Sequence, residues 1–291
     1  MMNENKDVIN EKPKLKSNYG KNKKNLTFFF ILSFALMMIT VLIQIGVRIL
    51  IENYFIDMFF GILAITSPTI SAVIISGLSD GFQGIKNLFS GFRIWKVNFL
   101  WYFAGLLFII APLIFALFYL LFGGEAPGPA PNYTLALFLL DLFISLISGP
   151  LNEEAGWRGY ALPRLQSRFS ALISSIILGI LWGFWHLPLY LVEARLPFYI
   201  FIFLNIVLSI LITWGYNNTN GSLVIAVLFH FCFNFVGTFI AGKLGLLPTM
   251  MFYLAGGILI GIYVIIVIIY YGPKRLSRKS KEDLPFKKLD I

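Results

Sequence analysis

Charged residues are scarce in this chain of 291 residues. Asp, Glu, Lys and Arg together make up 13% of it, whereas hydrophobic residues make up 58%. A soluble domain carries charge at about a quarter of its positions, so the composition excludes an ordinary soluble globular protein. A membrane is crossed only by helices or closed barrels, and the long apolar runs favour helices. We therefore predict an all-α, polytopic membrane protein.

Cysteine is nearly absent as well. The single cysteine, Cys232, excludes a disulfide framework and any metal cluster built from several thiolates. It lies on an apolar helix, where free cysteine is typically a small buried hydrophobic residue. Apolar surroundings also disfavour the thiolate that a nucleophile needs. We expect Cys232 to have a packing role.

Histidine occurs only twice, and both residues interrupt apolar runs. His186 lies within the run 171–192, and His230 lies within the run 222–240. A further polar group, Asn-Glu-Glu-Ala-Gly-Trp-Arg at 152–158, follows another apolar run. Ionisable groups inside a membrane are costly and usually mark function. We interpret a carboxylate pair and two imidazoles, each on a different helix, as a buried reaction centre.

Apolar runs of about 20 residues, the length that spans a bilayer, predict a bundle of about eight transmembrane helices. The sixth run is short and the fourth has polar flanks, so seven or nine spans remain open. The eight runs are 26–47, 54–77, 98–122, 134–153, 171–192, 198–215, 222–240 and 250–271.

The basic residues divide unevenly between the two sides of the predicted membrane. With the N-terminus inside, 20 of the 23 Lys and Arg residues fall on inner segments, which include a loop at 154–170. This bias follows the positive-inside rule and predicts that both termini are cytoplasmic. The chain then divides into a floppy basic tail at 1–25, a transmembrane helical domain at 26–272 and a floppy basic tail at 273–291. Such tails suit an anionic leaflet, and we expect no nucleic-acid partner.

Glu153, Glu154 and Arg158 form a charged group next to an apolar run. The i,i+4 spacing places Glu154 and Arg158 on one helical face, where the arginine can hold Glu154 ionised. Glu153 lies about 100° away around the helix and faces a different neighbour. Two adjacent carboxylates near a low-dielectric region should titrate apart, which suits one of them to act as a general base on water. The alternative is a solvated acidic helix end at the membrane surface.

The two histidines have companions at helical spacing. Trp182 lies one turn before His186, and Pro188 follows and weakens the local backbone hydrogen bonding. His230 and Asn234, at i,i+4, present donors on one face, as an oxyanion site requires. Alternatively, His186 bonds a neighbouring carbonyl, and the His-Asn pair is an interhelical polar clasp. In combination these groups make a plausible hydrolase set.

The predicted boundaries conflict with a single shared pocket. Straight helices place Glu153, His186 and His230 at different depths, because each residue adds about 1.5 Å along a helix. One pocket therefore requires a tilted fifth helix, or a fourth helix that continues past residue 153 inside a water-filled cavity.

In order along the chain, these motifs resemble those of the CPBP family of intramembrane proteases. The pattern Glu-Glu-x-x-x-Arg at 153–158 is followed by aromatic-x-x-x-His at 182–186 and by His-x-x-x-Asn at 230–234. The resemblance covers about 130–245, the expected protease core. The family includes type II CAAX prenyl endopeptidases and Abi-like, bacteriocin-processing or self-immunity proteins. The second motif usually begins with Phe, and we expect the Trp182 of this chain to affect packing more than chemistry.

The resemblance implies a role for each position. Glu153, helped by His186, would activate the water that attacks the scissile carbonyl. His230 and Asn234 would stabilise the tetrahedral oxyanion.

The resemblance also implies that Arg158 pairs with Glu154 and fixes the helix, and it leaves the cofactor open, since such proteins are widely labelled metalloproteases. The chain has no His-Glu-x-x-His zinc motif. Glu153, His186 and His230 could still supply three zinc ligands from three helices. We favour a glutamate-type mechanism that requires no cofactor over one that uses one Zn²⁺.

The predicted function is that of an intramembrane endopeptidase acting on a membrane-associated or lipidated, CAAX-like protein or peptide. The expected partners are the lipid bilayer and this hydrophobic substrate, and the sequence leaves the oligomeric state open. One alternative is a non-catalytic immunity or binding protein on the same fold. Another is a proton-coupled transporter, which the lack of an inverted repeat disfavours. Lys-, Asn-, Ile- and Phe-rich usage fits an AT-rich bacterial genome, so we expect a bacterial cytoplasmic membrane.

Overall fold

The regular elements of the protein are helices throughout the part of the chain that the structure describes. This computed structural model describes residues 7–192, 197–236, 243, 245 and 249–289, with side chains for 24–192, 197–236, 243, 245 and 256–287. Residues 1–6 and 290–291 of the predicted tails, Arg195, and 237–240 of the predicted seventh span lie outside the described residues.

The chain forms α-helices, short 3₁₀-helices and one π-helix. In order, they are α1 (Asp7–Leu50), α2 (Tyr54–Ile65), α3 (Ser67–Leu88), a 3₁₀-helix (Ser90–Arg93), α4 (Leu100–Leu121), α5 (Leu135–Ile147), α6 (Pro150–Glu154), the π-helix (Ala155–Ala161), α7 (Leu162–Gln166), α8 (Ala171–Trp185), α9 (Leu187–Val192), α10 (Phe198–Asn218), α11 (Leu223–Phe235), α12 (Thr249–Tyr271) and a 3₁₀-helix (Pro285–Leu289).

Three of the helices that build the site begin at a hydroxyl residue. Thr134, Ser170 and Ser222 precede α5, α8 and α11, and each side-chain oxygen accepts a hydrogen bond from the backbone N–H three residues later. A cap of this kind satisfies an otherwise unpaired donor and contributes about 1 kcal/mol. The sequence thus fixes where each of these apolar helices starts.

Four helical stretches are long and apolar enough to cross a membrane, and the bent pair α2–α3, with an angle of 48°, is a fifth candidate. The four are Lys24–Leu50, Leu100–Leu121, Leu135–Gln166 and Phe198–Asn218. Three shorter apolar helices, Ala171–Trp185, Leu223–Phe235 and Gly256–Tyr271, complete the set. The prediction of an all-α polytopic membrane protein is confirmed. Each predicted span coincides with an apolar helix, but four or five meet the length requirement, so the count of eight stays a prediction.

The segments that were expected on one side of the membrane gather at one end of the bundle. The side chain of Asn25 donates to Ser79 Oγ (2.8 Å), which joins the start of the first span to the end of α3. Ser222 Oγ donates to the carbonyl of Ile94 (2.5 Å), which joins the turn before α11 to the segment after α3. At another turn, Gly128 N donates to the carbonyl of Gly245 (3.1 Å). The arrangement agrees with the predicted alternation of loops, while the cytoplasmic placement of the termini stays a prediction.

The described part of the C-terminal segment, 273–289, is docked on the bundle, whereas we expected a floppy tail at 273–291. Its backbone carbonyls accept side-chain hydrogen bonds from the end of α10: Asn217 bonds Arg275 and Asn218 bonds Leu276, both at 2.8 Å. The Leu276 side chain is fully buried. The basic side chains made this segment look solvated, but its backbone and its few apolar residues hold it against the bundle. At the other end, α1 begins at Asp7, so a helix runs through most of the predicted tail at 1–25.

The fourth span extends beyond its predicted end at residue 153. A helical path breaks at Gly149, restarts at Pro150 and continues through the π-helix to Gln166, within a candidate span of 32 residues. The predicted inner loop at 154–170 is therefore wrong for most of its length. In the sequence, the charged residues in 153–158 resembled those of a loop at the membrane surface, but they are buried and hydrogen-bonded inside the bundle.

Close helix contacts at two glycines place the site elements. A Cβ on Gly156 would lie 2.5 Å from the backbone carbon of Pro68, and one on Gly179 would lie 2.5 Å from Cα of Ile206. Only glycine permits such an approach. The π-helix consequently packs on the start of α3, and α8 packs on α10.

Candidate active site

Glu153 and Glu154 end α6 and are almost completely buried, with 2% and 0% of their surface exposed. The alternative of a solvated acidic helix end is therefore wrong. The π-helix that follows immediately carries Arg158. π-Helical segments are rare and frequently occur at functional sites. This short segment places three ionisable side chains in the interior of an apolar bundle.

Glu154 is the centre of a buried charge network. Its Oε1 accepts a hydrogen bond from Arg158 Nη1 at 2.9 Å, as the i,i+4 spacing predicted. The same oxygen lies 2.8 Å from His230 Nδ1, which reaches it from α11. The guanidinium of Arg158 lies 4.6 Å from the ring centre of Trp182. All three ionisable side chains have at most 3% of their surface exposed, and their mutual contacts offset the cost of burying charge.

Glu153 faces a different set of neighbours, as its position around the helix predicted. Its Oε2 accepts hydrogen bonds from two indole N–H groups, that of Trp182 at 2.6 Å and that of Trp157 at 3.2 Å. Both tryptophans are buried. The expectation that Trp182 affects packing more than chemistry stays a prediction. Its N–H does contact the carboxylate, and a phenylalanine has no such donor.

Three side chains of the predicted site approach Gly149. A Cβ built on this glycine would lie 3.1 Å from Glu153 Oε1, 3.7 Å from Asn234 Nδ2 and 3.9 Å from His230 Cε1. The second carboxylate oxygen, the amide and the edge of the imidazole therefore surround a single point. α5 ends just before this glycine and α6 begins just after it. Helix four of our prediction and helix seven converge here.

His186 joins the cluster through Trp182. It lies directly after the last residue of α8, and its Nδ1 is 2.9 Å from the carbonyl oxygen of Trp182. A carbonyl only accepts, so Nδ1 carries the proton and Nε2 of the neutral ring is an acceptor. The predicted alternative, a histidine bonded to a neighbouring carbonyl, therefore describes one of its two nitrogens. The described contacts connect His186 to Glu153 by way of the same tryptophan.

The site contains residues that the sequence argument passed over. Trp157 lies at i+4 from Glu153, and that spacing alone could have identified it as a partner. Gly149 and the π-helix gave no comparable signal, because neither a missing side chain nor an altered helical pitch shows in a residue pattern. Cys232 is buried, as expected.

The zinc alternative, with Glu153, His186 and His230 as ligands, stays a prediction. Among the described residues, no three His, Cys, Asp or Glu side chains are grouped so that they could hold a metal ion. Three protein ligands are the usual minimum for a catalytic zinc site. Each suggested ligand does keep one atom outside the described hydrogen bonds, namely Glu153 Oε1, His186 Nε2 and His230 Nε2. The mechanism below uses no metal.

Comparison with known proteins places the site in a matched segment. Residues 134–236 match the family model described as type II CAAX prenyl endopeptidase Rce1-like. The chain is 39% identical over 107 residues to a protein named CAAX prenyl protease 2 from Methanococcus maripaludis. That alignment covers 33% of this chain and 39% of the relative. All six predicted site residues lie within the matched segment. Through this segment the chain is similar to type II CAAX prenyl endopeptidases, and it spans less than half the length of the relative that it matches.

Proposed function

We propose that the protein is an intramembrane endopeptidase that hydrolyses a peptide bond in a lipidated or hydrophobic, CAAX-like substrate. The observation that carries the proposal is the approach of three side chains to Gly149, where a carboxylate oxygen, an imidazole and an amide donor surround one point. Peptide hydrolysis needs a base for the water and donors for the oxyanion. This cluster supplies both within a few ångströms.

Glu153 acts as the general base. Its Oε2 is held by two indole N–H groups, so Oε1 is the oxygen that faces Gly149. A water bound there transfers a proton to Oε1 and attacks the carbonyl carbon of the substrate. When the tetrahedral intermediate collapses, the C–N bond breaks and Oε1 returns the proton to the leaving amine. The indoles keep the carboxylate in one orientation, and a fixed orientation is a main source of rate enhancement.

Asn234 and His230 stabilise the tetrahedral intermediate. The Nδ2 amide of Asn234 donates to the developing oxyanion without changing its own protonation. His230 holds its Nδ1 proton on Glu154, so Nε2 is its remaining nitrogen. A proton on Nε2 would let this nitrogen donate to the oxyanion as well.

His186 assists the proton transfer. With Nδ1 on the carbonyl of Trp182, its Nε2 is available as an acceptor for a proton. This is the role that the family resemblance implies, in which His186 helps Glu153 to activate the water. The shared tryptophan couples the position of this imidazole to that of the Glu153 carboxylate.

The substrate class follows from the surroundings of the site. The cluster is enclosed by apolar helices, so a peptide must approach it from the membrane or from one end of the bundle. A peptide that carries a lipid near its cleavage site partitions into the bilayer. The name of the matched archaeal relative agrees with a prenylated CAAX substrate.

The test is cleavage of a farnesylated CAAX peptide by the full chain in liposomes, compared with the same peptide without the lipid. Glu153→Gln should slow cleavage by about a hundredfold to ten-thousandfold, because the amide cannot accept a proton from water. Glu125→Gln, an exposed loop residue, is the matched control and should cleave at the rate of the unmodified chain. Cleavage by Glu153→Gln at the rate of the unmodified chain defeats the proposal. An equal loss of cleavage in both variants would show that the loss does not arise at the Glu153 site. Binding of the peptide without cleavage would support the alternative of a non-catalytic immunity or binding protein.

A further inference from the structure

A cavity of about 680 Å³ lies at the end of the bundle where the C-terminal segment docks. Cavities that bind small ligands have volumes of about 300–1,000 Å³. Four cationic side chains line it, and none of its lining residues is acidic: the cations are Arg168, Lys274, Arg275 and Lys281. Its apolar wall includes Phe169 and Tyr271. Cations beside aromatic rings are the usual composition of a membrane-surface site.

The backbone of the C-terminal segment fixes the wall of this cavity. Gly272 ends the last apolar helix with φ at +76°, a conformation that favours glycine. The chain then crosses the start of α8, where the carbonyls of Pro273 and Lys274 accept hydrogen bonds from Leu172 N (3.1 Å) and Ala171 N (2.9 Å). The cationic side chains therefore project from a segment whose path is set by the bundle.

The basic residues of this segment divide into two kinds. Lys279 is structural, since its Nζ donates to the carbonyl of Asn218 and to Asn220 Oδ1, both at 2.8 Å. In contrast, Lys274, Arg275 and Lys281 have exposed side chains and form no ion pair with a described carboxylate. Like charges that line one cavity repel one another, and the repulsion is strongest within the screening length of about 8 Å at physiological salt. An anion in the cavity would offset that repulsion.

The cavity lies beside the surface of the predicted bilayer. It adjoins the end of the apolar stretch Gly256–Tyr271 and the beginning of Ala171–Trp185. Phe169 has 46% of its surface exposed. An anion that also carried an acyl chain could place its charge among the cations and its chain against this ring.

We propose that this cavity binds the phosphodiester headgroup of an anionic phospholipid. Lys274, Arg275 and Lys281 contact the phosphate, together with Arg168, while Phe169 and Tyr271 contact the first carbons of the acyl chains. The site lies apart from the Glu153 cluster and does not depend on peptide hydrolysis.

The experiment measures phosphatidylglycerol retained by the full chain after extraction from phosphatidylcholine–phosphatidylglycerol nanodiscs, by native mass spectrometry. The triple variant Lys274→Gln, Arg275→Gln, Lys281→Gln should retain it on the order of a hundredfold more weakly, because each cation near the surface contributes about 1 kcal/mol. The matched control is Lys86→Gln, Arg93→Gln, Lys96→Gln, which removes the same charge at the same end of the bundle and should retain the lipid normally.

Three results would overturn the proposal. Equal losses in the two triple variants would show attraction by overall charge. Equal retention of phosphatidylcholine by the unmodified chain would show that the phosphate site has no anionic preference. Displacement of the lipid by inorganic phosphate would assign the cavity to a soluble anion. The midpoint of the thermal transition of both variants, followed by tryptophan fluorescence, distinguishes a loss of lipid binding from a loss of folding.

Discussion

The buried cluster around Glu154 and the basic cavity at the end of the bundle accommodate charged side chains in opposite ways. In the cluster, each charge has a partner within 3 Å and almost no exposed surface. In the cavity, four cationic side chains lie together without an acidic lining residue, and most of them are exposed. A buried charge without a partner is expensive, whereas solvent screens exposed like charges. Single substitutions should therefore lower the stability of the protein strongly in the first region and only slightly in the second.

Glu154→Gln should give the largest loss of stability. The change leaves Arg158 buried without its counter-charge, a situation that costs about 3–5 kcal/mol. The thermal transition of the detergent-purified chain, followed by intrinsic tryptophan fluorescence, measures it. Glu52→Gln, an exposed residue, should change stability by less than about 0.5 kcal/mol. A Glu154→Gln protein as stable as the unmodified chain would mean that the buried ion pair does not hold the bundle together.

Trp182→Phe should reduce peptide cleavage by about tenfold to a hundredfold. It removes one N–H that holds the Glu153 carboxylate, and a hydrogen bond to a charged group contributes about 1.5–3 kcal/mol. Trp185→Phe is the matched control, because its indole donates to Ser67 Oγ (3.0 Å) instead. Both variants should lose similar stability, while only the first loses turnover at saturating substrate. Equal turnover in the two would remove the indole from the mechanism.

Gly149→Ala should reduce cleavage by about tenfold with the fold retained. The added carbon would lie 3.1 Å from Glu153 Oε1 and would crowd the space proposed for water, and overpacking of this kind costs about 1–3 kcal/mol. Gly61→Ala is the control, since its nearest neighbour, Gln44 Nε2, lies at 3.8 Å. If Gly149→Ala cleaves at the normal rate, the reacting atoms do not meet at this glycine.

The triple change Lys274→Gln, Arg275→Gln, Lys281→Gln should have the smallest effect on stability. In detergent without anionic lipid, the substitutions remove the repulsion among the three cationic side chains, but they also remove the solvation of those charges, and the two effects nearly cancel. Each exposed substitution should therefore shift the free energy of unfolding by at most about 0.5 kcal/mol. A denaturation curve alongside that of Glu154→Gln measures the contrast directly. A loss comparable to that of Glu154→Gln would erase the distinction between the two regions.

The sequence predicted the parts of this structure that depend on composition and on spacing along one helix. The apolar runs gave the helices, and the i,i+4 interval gave the Glu154–Arg158 pair. The end of the fourth span was misjudged, because charged residues resemble a membrane surface unless their partner on another helix, here His230, is known. The roles of Gly149 and Trp182 depend on distances between helices, which no local pattern contains.

The docking of the C-terminal segment was missed for a related reason. Its basic side chains resemble a solvated tail, but hydrogen bonds to its backbone carbonyls from Asn217 and Asn218 hold it in place. Backbone groups are the same in every residue, so their partners leave no trace in composition. The basic cavity follows from this docking.

A double-mutant cycle on the rate of peptide cleavage tests the central proposal most directly. Glu153→Gln and Asn234→Ala are measured singly and together in single-turnover reactions, with Asn205→Ala, whose amide donates to Phe201 O within its own helix, as the unrelated partner. If the carboxylate and the amide act on one intermediate beside Gly149, the double variant should be about as slow as Glu153→Gln alone. Losses that multiply independently would contradict a shared reaction site.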